Sequence, residues 1–129
     1  MDNSPGRSRR EPGEQGLLVF DGECGFCRRW VRHMNEWFRR RPEAVAWQTT
    51  DLTSLGLTET QCRDAVQFVS HDMKVSAGAD AAARVLIVAG FPWALAGRIM
   101  LLPGVRSVAR AVYRWVARNR HRFRGDPAA

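Results

Sequence analysis

The sequence predicts an α/β fold: a four-stranded mixed sheet with flanking helices, plus two extra C-terminal helices. Three observations predict it. Short apolar runs with strand character occur at residues 17–20, 44–49, 65–70 and 75–77. Segments with apolar residues at i, i+3 and i+4 separate the first three of these runs and follow the last. Beyond Gly90 the chain returns to helical periodicity twice more, without another strand.

Leu17-Leu18-Val19-Phe20 followed by Asp21-Gly22 reads as a short buried strand ending in a turn. After the turn, apolar residues fall at 26, 27, 30, 31, 34, 37 and 38, one face of a helix. Arg28, Arg29, Arg32, Glu36, Arg39 and Arg40 cover its other side, and Pro42 stops it. Pro42-Glu43 opens the second strand, residues 44–49, with Val45, Trp47 and Thr49 on one face. This strand-helix-strand unit should be parallel and right-handed.

Residues 51–57 read as loop, and Thr58-Glu59-Thr60-Gln61 matches a capping box that predicts a short helix through Cys62 and Arg63. In 65–70, Val66 and Phe68 share one side; His71-Asp72-Met73-Lys74 makes the turn and 75–77 the return strand of a hairpin. Gly78 breaks that strand, and Asp80 lies in the first turn of a helix through Ala89, where a carboxylate suits the helix dipole. Pro92 starts a short apolar helix, 93–102, ended by Pro103-Gly104. The last helix, from Val105 to about His121, carries Val105, Val108, Ala109, Val112 and Val116 on one face and Arg106, Arg110, Arg114 and Arg118 on another. The order β-α-β-α-β-β-α is the thioredoxin arrangement, with two helices added. No internal repeat occurs.

The chemistry concentrates at the first strand-to-helix corner. Cys24 and Cys27 sit three apart, with Cys24 at or just before the first helical turn. The first four amides of a helix lack partners and carry roughly half a positive charge. A thiolate held there is stabilised over its thiol, and Cys27, one turn inside, can reach it to close a small disulfide ring. Cys24 is therefore the expected nucleophile and Cys27 the resolving thiol. Glu23 works against a second anion beside it, and Arg28 partly offsets Glu23. Asp21 has two readings: a turn residue bonding backbone amides, or a carboxylate relaying protons to Cys27. Gly22 is expected to serve backbone geometry, through positive φ or close approach.

A metal reading competes, but zinc normally takes four ligands, and only Cys62, His33, His71 and His121 remain, at spacings that do not fit. Two subunits sharing one zinc through both pairs is the strongest metal version; structurally inert thiols are the other alternative. The redox reading is preferred, with no metal ligands and no bound cofactor. Cys62 reads as a small core residue, with a third redox thiol as the minority reading.

The stretch Phe20-Asp21-Gly22-Glu23-Cys24-Gly25-Phe26-Cys27-Arg28-Arg29 resembles the D-G-x-C-x-x-C signature of the DCC family, thioredoxin-like proteins assigned as thiol-disulfide oxidoreductases. Ser76 to Ala81, and Leu102-Pro103-Gly104 leading into Tyr113-Arg114-Trp115 and Asn119-Arg120, also look like that family, so the resemblance spans about residues 17–123. It implies disulfide exchange through Cys24 and Cys27, with a substrate disulfide and an external reductant as partners. In a thioredoxin-like fold, Gly78, Ala79 and Asp80 would bring a helix N-terminus toward the active-site end of the sheet, where an anion such as the glutathione carboxylate could bind; a plain helix cap is the favoured reading. One departure stands out. Thioredoxin-fold oxidoreductases usually carry a cis-proline just before the third strand, facing the cysteines, and this chain has no proline between Pro42 and Pro92.

At 129 residues the chain is one domain, large enough to bury about two-thirds of its unfolded surface. Its expected divisions are a disordered tail over 1–15, the domain over 16–124 with a helical extension at 91–124, and a tail over 125–129. Residues 1–16 are rich in Pro, Gly, Ser and charge and lack the apolar run of a signal peptide, so a cytoplasmic, reducing setting is expected. Residues 1–97 hold 12 Lys/Arg and 12 Asp/Glu; residues 98–129 hold eight Arg and one Asp, the whole +7 surplus. The 13 uncharged residues 85–97 are too few to span a bilayer. The arginine stripe at 106, 110, 114 and 118 reads first as a solvated face, and otherwise as a dock for an acidic partner or membrane surface. No base-reading module argues for nucleic acid. The alternative function is thus a non-enzymatic, redox-sensitive adaptor docking through that helix.

Overall fold

The computed structural model of the chain describes residues 8–119. Strand β1 (Leu17–Phe20) runs parallel to β2 (Glu43–Ala46) and antiparallel to β3 (Gln67–Val69), and β3 pairs antiparallel with β4 (Val75–Ala77). The sheet order is β2-β1-β3-β4. Helix α1 (Gly25–Trp37) joins β1 to β2, α2 (Glu59–Asp64) precedes β3, and α3 (Ala79–Ala89) follows β4. Two further helices, α4 (Trp93–Met100) and α5 (Val105–Arg118), complete the described chain. This is a thioredoxin-like fold with a C-terminal helical addition.

The central strand feeds both faces of the sheet because its side chains alternate. Leu17 and Val19 join Val45, Trp47, Leu52, Leu55, Leu57, Cys62 and Val69 on the α2 side. Leu18 joins Met34, Phe38, Phe68, Ala81 and Val85 on the other, beneath α1 and α3. Each fully buried Leu or Val contributes roughly 1.5–3 kcal/mol, so β1 holds the two layers together. The capping box forms as expected: the Thr58 hydroxyl accepts the Gln61 N–H at 3.2 Å and the Gln61 Oε1 accepts the Thr58 N–H at 2.9 Å.

Several boundaries differ from the sequence expectation, those of α1, β2 and β3 for a physical reason. Helix α1 ends at Trp37 rather than near Pro42, because Phe38 leaves the helix in an extended conformation to enter the core. There it meets the Trp93 ring at 5.2 Å, and Arg41 donates to its carbonyl at 2.7 Å. Strand β2 stops at Ala46 instead of Thr49: Trp47–Thr49 coil into a 3-10 turn, and Thr50, not Thr49, is buried, its hydroxyl bonded to the Ala46 carbonyl at 2.8 Å. Strand β3 starts at Gln67 because the N–H of Val66 is taken by the Tyr113 hydroxyl at 3.1 Å. Helix α4 ends at Met100, two residues earlier than expected. In the segment assigned to an N-terminal tail, Ser8 bonds Thr49 and Asp51 through its backbone.

Helix α5 carries its valines on the face read from the sequence, and that face is turned largely outward: Val105, Val108 and Val112 are exposed. The half-buried positions are instead Ala109, Tyr113, Val116 and Ala117, with Arg106 and Arg110 reaching Asp80 on α3. An ion pair across 26 to 30 residues of chain turns the helix, and local periodicity cannot register it. The expected end at His121 falls outside the described residues.

Candidate active site

The loop between β1 and α1 is fastened at every step. Asp21 Oδ1 accepts the Glu23 N–H at 3.0 Å and the Gln48 side-chain amide at 2.8 Å. The Gly22 N–H donates to Gln48 Oε1 at 3.0 Å, and the Cys24 N–H to the Asp21 carbonyl at 3.2 Å. Arg28, one turn into α1, donates to the Gly22 carbonyl at 2.6 Å. These bonds suit the turn reading of Asp21, and Arg28 acts on the loop backbone.

Cys24 is the N-cap of α1, with φ −88° and ψ 113°. Its sulfur accepts the backbone N–H of Cys27 at 3.3 Å. The two residues approach to 2.9 Å, and neither is part of a disulfide. Cys24 is only 3 % exposed, whereas Cys27 is partly open. Two oxidisable thiols thus sit at one helix mouth, the Cys24 sulfur receiving an amide hydrogen.

A model of the DCC1-like thiol-disulfide oxidoreductase family matches residues 18–126. The chain belongs to this family. Comparison with curated proteins gave no match, and neither did comparison with solved structures.

In this DCC1-like protein Gln48 is the residue that sequence reasoning missed. It was placed inside a strand, where a polar residue on an edge draws no notice; its position near the C-terminal end of β2, beside the motif at the end of parallel β1, was the available signal. Gly22 serves close approach rather than positive φ: a Cβ there would stand 2.8 Å from the Ala46 Cβ and 3.1 Å from Gln48 Oε1. Gly22→Ala is therefore expected to push Gln48 away and destabilise the fold by about 1–3 kcal/mol, the usual cost of overpacking. Thermal unfolding checks it, and an unchanged midpoint would show the loop to be looser than its bonds suggest.

Gly78, Ala79 and Asp80 lie at the same end of the sheet, since Val19 pairs with Gln67 and Gln67 with Ala77. That helix mouth is covered by α5. The Tyr113 ring would lie 3.1 Å from a Cβ on Gly78, and Asp80 accepts from Arg106 at 2.8 and 3.3 Å and from Arg110 at 2.6 and 3.3 Å. The negative group seated there is the protein's own, and the hydrogen bonds from the two arginines draw the Asp80 pKa down to about 2. Arg114 and Arg118 remain exposed and make no ion pair with any described residue. The cis X-Pro bond found among the described residues, Phe91-Pro92, precedes α4 and not β3. At the start of β3, Val66 donates to Tyr113 and accepts from Gly78, so both of its backbone groups are bonded within the chain.

Cys62 is buried, and burial, with Glu59 adding, pushes its thiol up to about 11. It should resist iodoacetamide in the folded protein near neutral pH while the Cys24/Cys27 pair is alkylated, and react only on unfolding. Mass spectrometry before and after denaturant reads this; early labelling of Cys62 would restore it as a third redox thiol. Among the described residues no three His, Cys, Asp or Glu side chains gather into a metal-ligand set. No helix among them is long and apolar enough to cross a membrane.

Proposed function

We propose that the protein is a thiol-disulfide oxidoreductase of the disulfide-reducing type, with Cys24 as nucleophile and Cys27 as resolving thiol. The observation that carries this is the Cys27 N–H directed at the Cys24 sulfur at a helix N-cap. The thiolate, not the thiol, attacks disulfides, and the Cys24 sulfur is the one that lies at the helix N-cap and accepts an amide hydrogen. The Cys24 thiolate attacks one sulfur of a substrate disulfide and releases the other half as a thiol. Cys27, once deprotonated, attacks the Cys24 sulfur of the mixed disulfide, freeing the second thiol and leaving a Cys24–Cys27 disulfide. Two electrons and two protons pass to the substrate, and an external dithiol returns them. Exposure alone would favour Cys27 as the attacking group. Cys24 is preferred for its N-cap position, and its 3 % exposure then acts on selectivity, admitting partners that displace its cover.

The test is turnover of insulin or a small-molecule disulfide with dithiothreitol as electron source, together with peptide mapping after oxidation. A Cys24–Cys27 disulfide and multiple turnovers are expected. Failure of the pair to oxidise in a glutathione redox buffer would overturn the reading. The potential of the pair then fixes direction: near −270 mV suits a reductant, and near −120 mV an oxidant, both being approximate values for known couples.

A further inference from the structure

The C-terminal helices leave apolar side chains in solvent. Of the thirteen large hydrophobic residues exposed among the described residues, nine lie between positions 91 and 115. On α5, Val105, Val108, Val112 and Trp115 fall at spacings of three and four and make one stripe; Val108 is 63 %, Val112 56 % and Trp115 51 % exposed. On α4 and its exit, Leu95, Ile99 and Leu102 make a second, and Phe91 before α4 is 87 % exposed. Soluble domains rarely present such runs unless something covers them.

The rotation of α5 is not accidental. Arg106 and Arg110 hold Asp80, so the helix is anchored by charged side chains and turns its valines outward, the reverse of an ordinary amphipathic surface helix. Arg114 and Arg118 stay exposed beside the apolar stripe. The whole +7 surplus of the chain lies in residues 98–129. A second copy docked on this face would bring like charge against like charge. An anionic surface would be attracted and could also bury the stripe.

We infer that the outer face of α5 docks on an anionic lipid surface. The helix lies in the headgroup plane, Val108, Val112 and Trp115 enter the acyl boundary, and Arg114 and Arg118 meet lipid phosphates. Tryptophan suits that depth because its ring is apolar and its N–H is polar. This surface is independent of the cysteine chemistry.

Flotation of the full-length protein with vesicles tests it. The protein should float with vesicles of mixed phosphatidylcholine and phosphatidylglycerol, bind pure phosphatidylcholine at least roughly tenfold less, and be released by high salt. Val108→Asp with Val112→Asp should abolish flotation. Both positions face solvent, so circular dichroism and disulfide exchange should stay as in the parent; if the double aspartate variant does not fold, Val108→Ser with Val112→Ser serves in its place. Replacing Arg114 and Arg118 with alanine should weaken binding by about fivefold per arginine. Unchanged flotation of the valine variants, or no binding to anionic vesicles at low salt, overturns the proposal. So does a dimer in sedimentation velocity that the valine changes disperse while vesicles are ignored, which would assign the stripe to a second copy.

Discussion

Replacing Cys24 with serine is expected to lower disulfide exchange by roughly 10³-fold or more, the scale on which loss of a nucleophile acts. The fold should survive, because serine is among the preferred N-caps and its hydroxyl can accept the same Cys27 N–H that the sulfur accepts now. A thermal midpoint equal to or above that of the parent, alongside lost turnover, would separate chemistry from structure. Cys27→Ser should behave differently. Attack still occurs, resolution does not, and a mixed disulfide accumulates on Cys24 that mass spectrometry of its peptide identifies. If the adduct instead forms in Cys24→Ser, on Cys27, the roles of the two thiols are reversed and their difference in exposure, not the helix terminus, governs attack.

The Asp80 clamp should produce the largest loss of stability. Arg106→Ala with Arg110→Ala leaves a carboxylate whose side chain is 12 % exposed without either of its partners. Breaking a buried pair in this way costs about 3–5 kcal/mol; with the two arginine side chains 46 % and 47 % exposed, solvent screening argues for about 2–3 kcal/mol. For a chain of this size that corresponds to a fall of roughly 8–12 °C in Tm. Adding Asp80→Ala to the pair should recover much of the loss, because the uncompensated charge is gone. The single variants should each cost less, since the remaining guanidinium still holds the carboxylate.

The clamp also sets a pH dependence. The Asp80 pKa falls from 3.8 to about 2 in the folded protein, so between those values the unfolded chain takes up the proton more readily. The contribution is present in full above about pH 4 and is lost as pH falls toward 2. It is on the order of 2 kcal/mol before allowance for the half-exposed arginines. Acid unfolding of the Asp80→Asn variant should lack this component.

Much of the fold could be read from the sequence where local signals dominate. Leu17 to Phe20 needed only its period and the Asp21-Gly22 turn, and Thr58 to Gln61 announced a helix start by the reciprocal capping bonds that it forms. The two cysteines could be placed at the helix mouth because three residues of spacing leave little freedom. What escaped was set by distant partners. Gln48 matters through bonds 26 and 27 residues away in sequence. Hydrophobic pattern marks the apolar face of α5 but not the direction it takes, which Asp80 sets across 26 and 30 residues. The ends of α1 and β2 likewise shifted because Phe38 and Thr50 found burial outside the regular element.

Tyr113 closes the first unit of the fold from its last helix: one hydroxyl, donated to by the Val66 N–H, stitches residue 113 to the edge of the strand that lies beside β1. The sheet and α3 therefore draw part of their polar satisfaction from α5. A shortened version ending at the Pro103-Gly104 turn would keep every sheet strand and both motif cysteines, yet would leave an amide and a carboxylate stranded at the same end of the sheet. The added helix is a keystone, and trimming the protein to the minimal seven-element unit removes it.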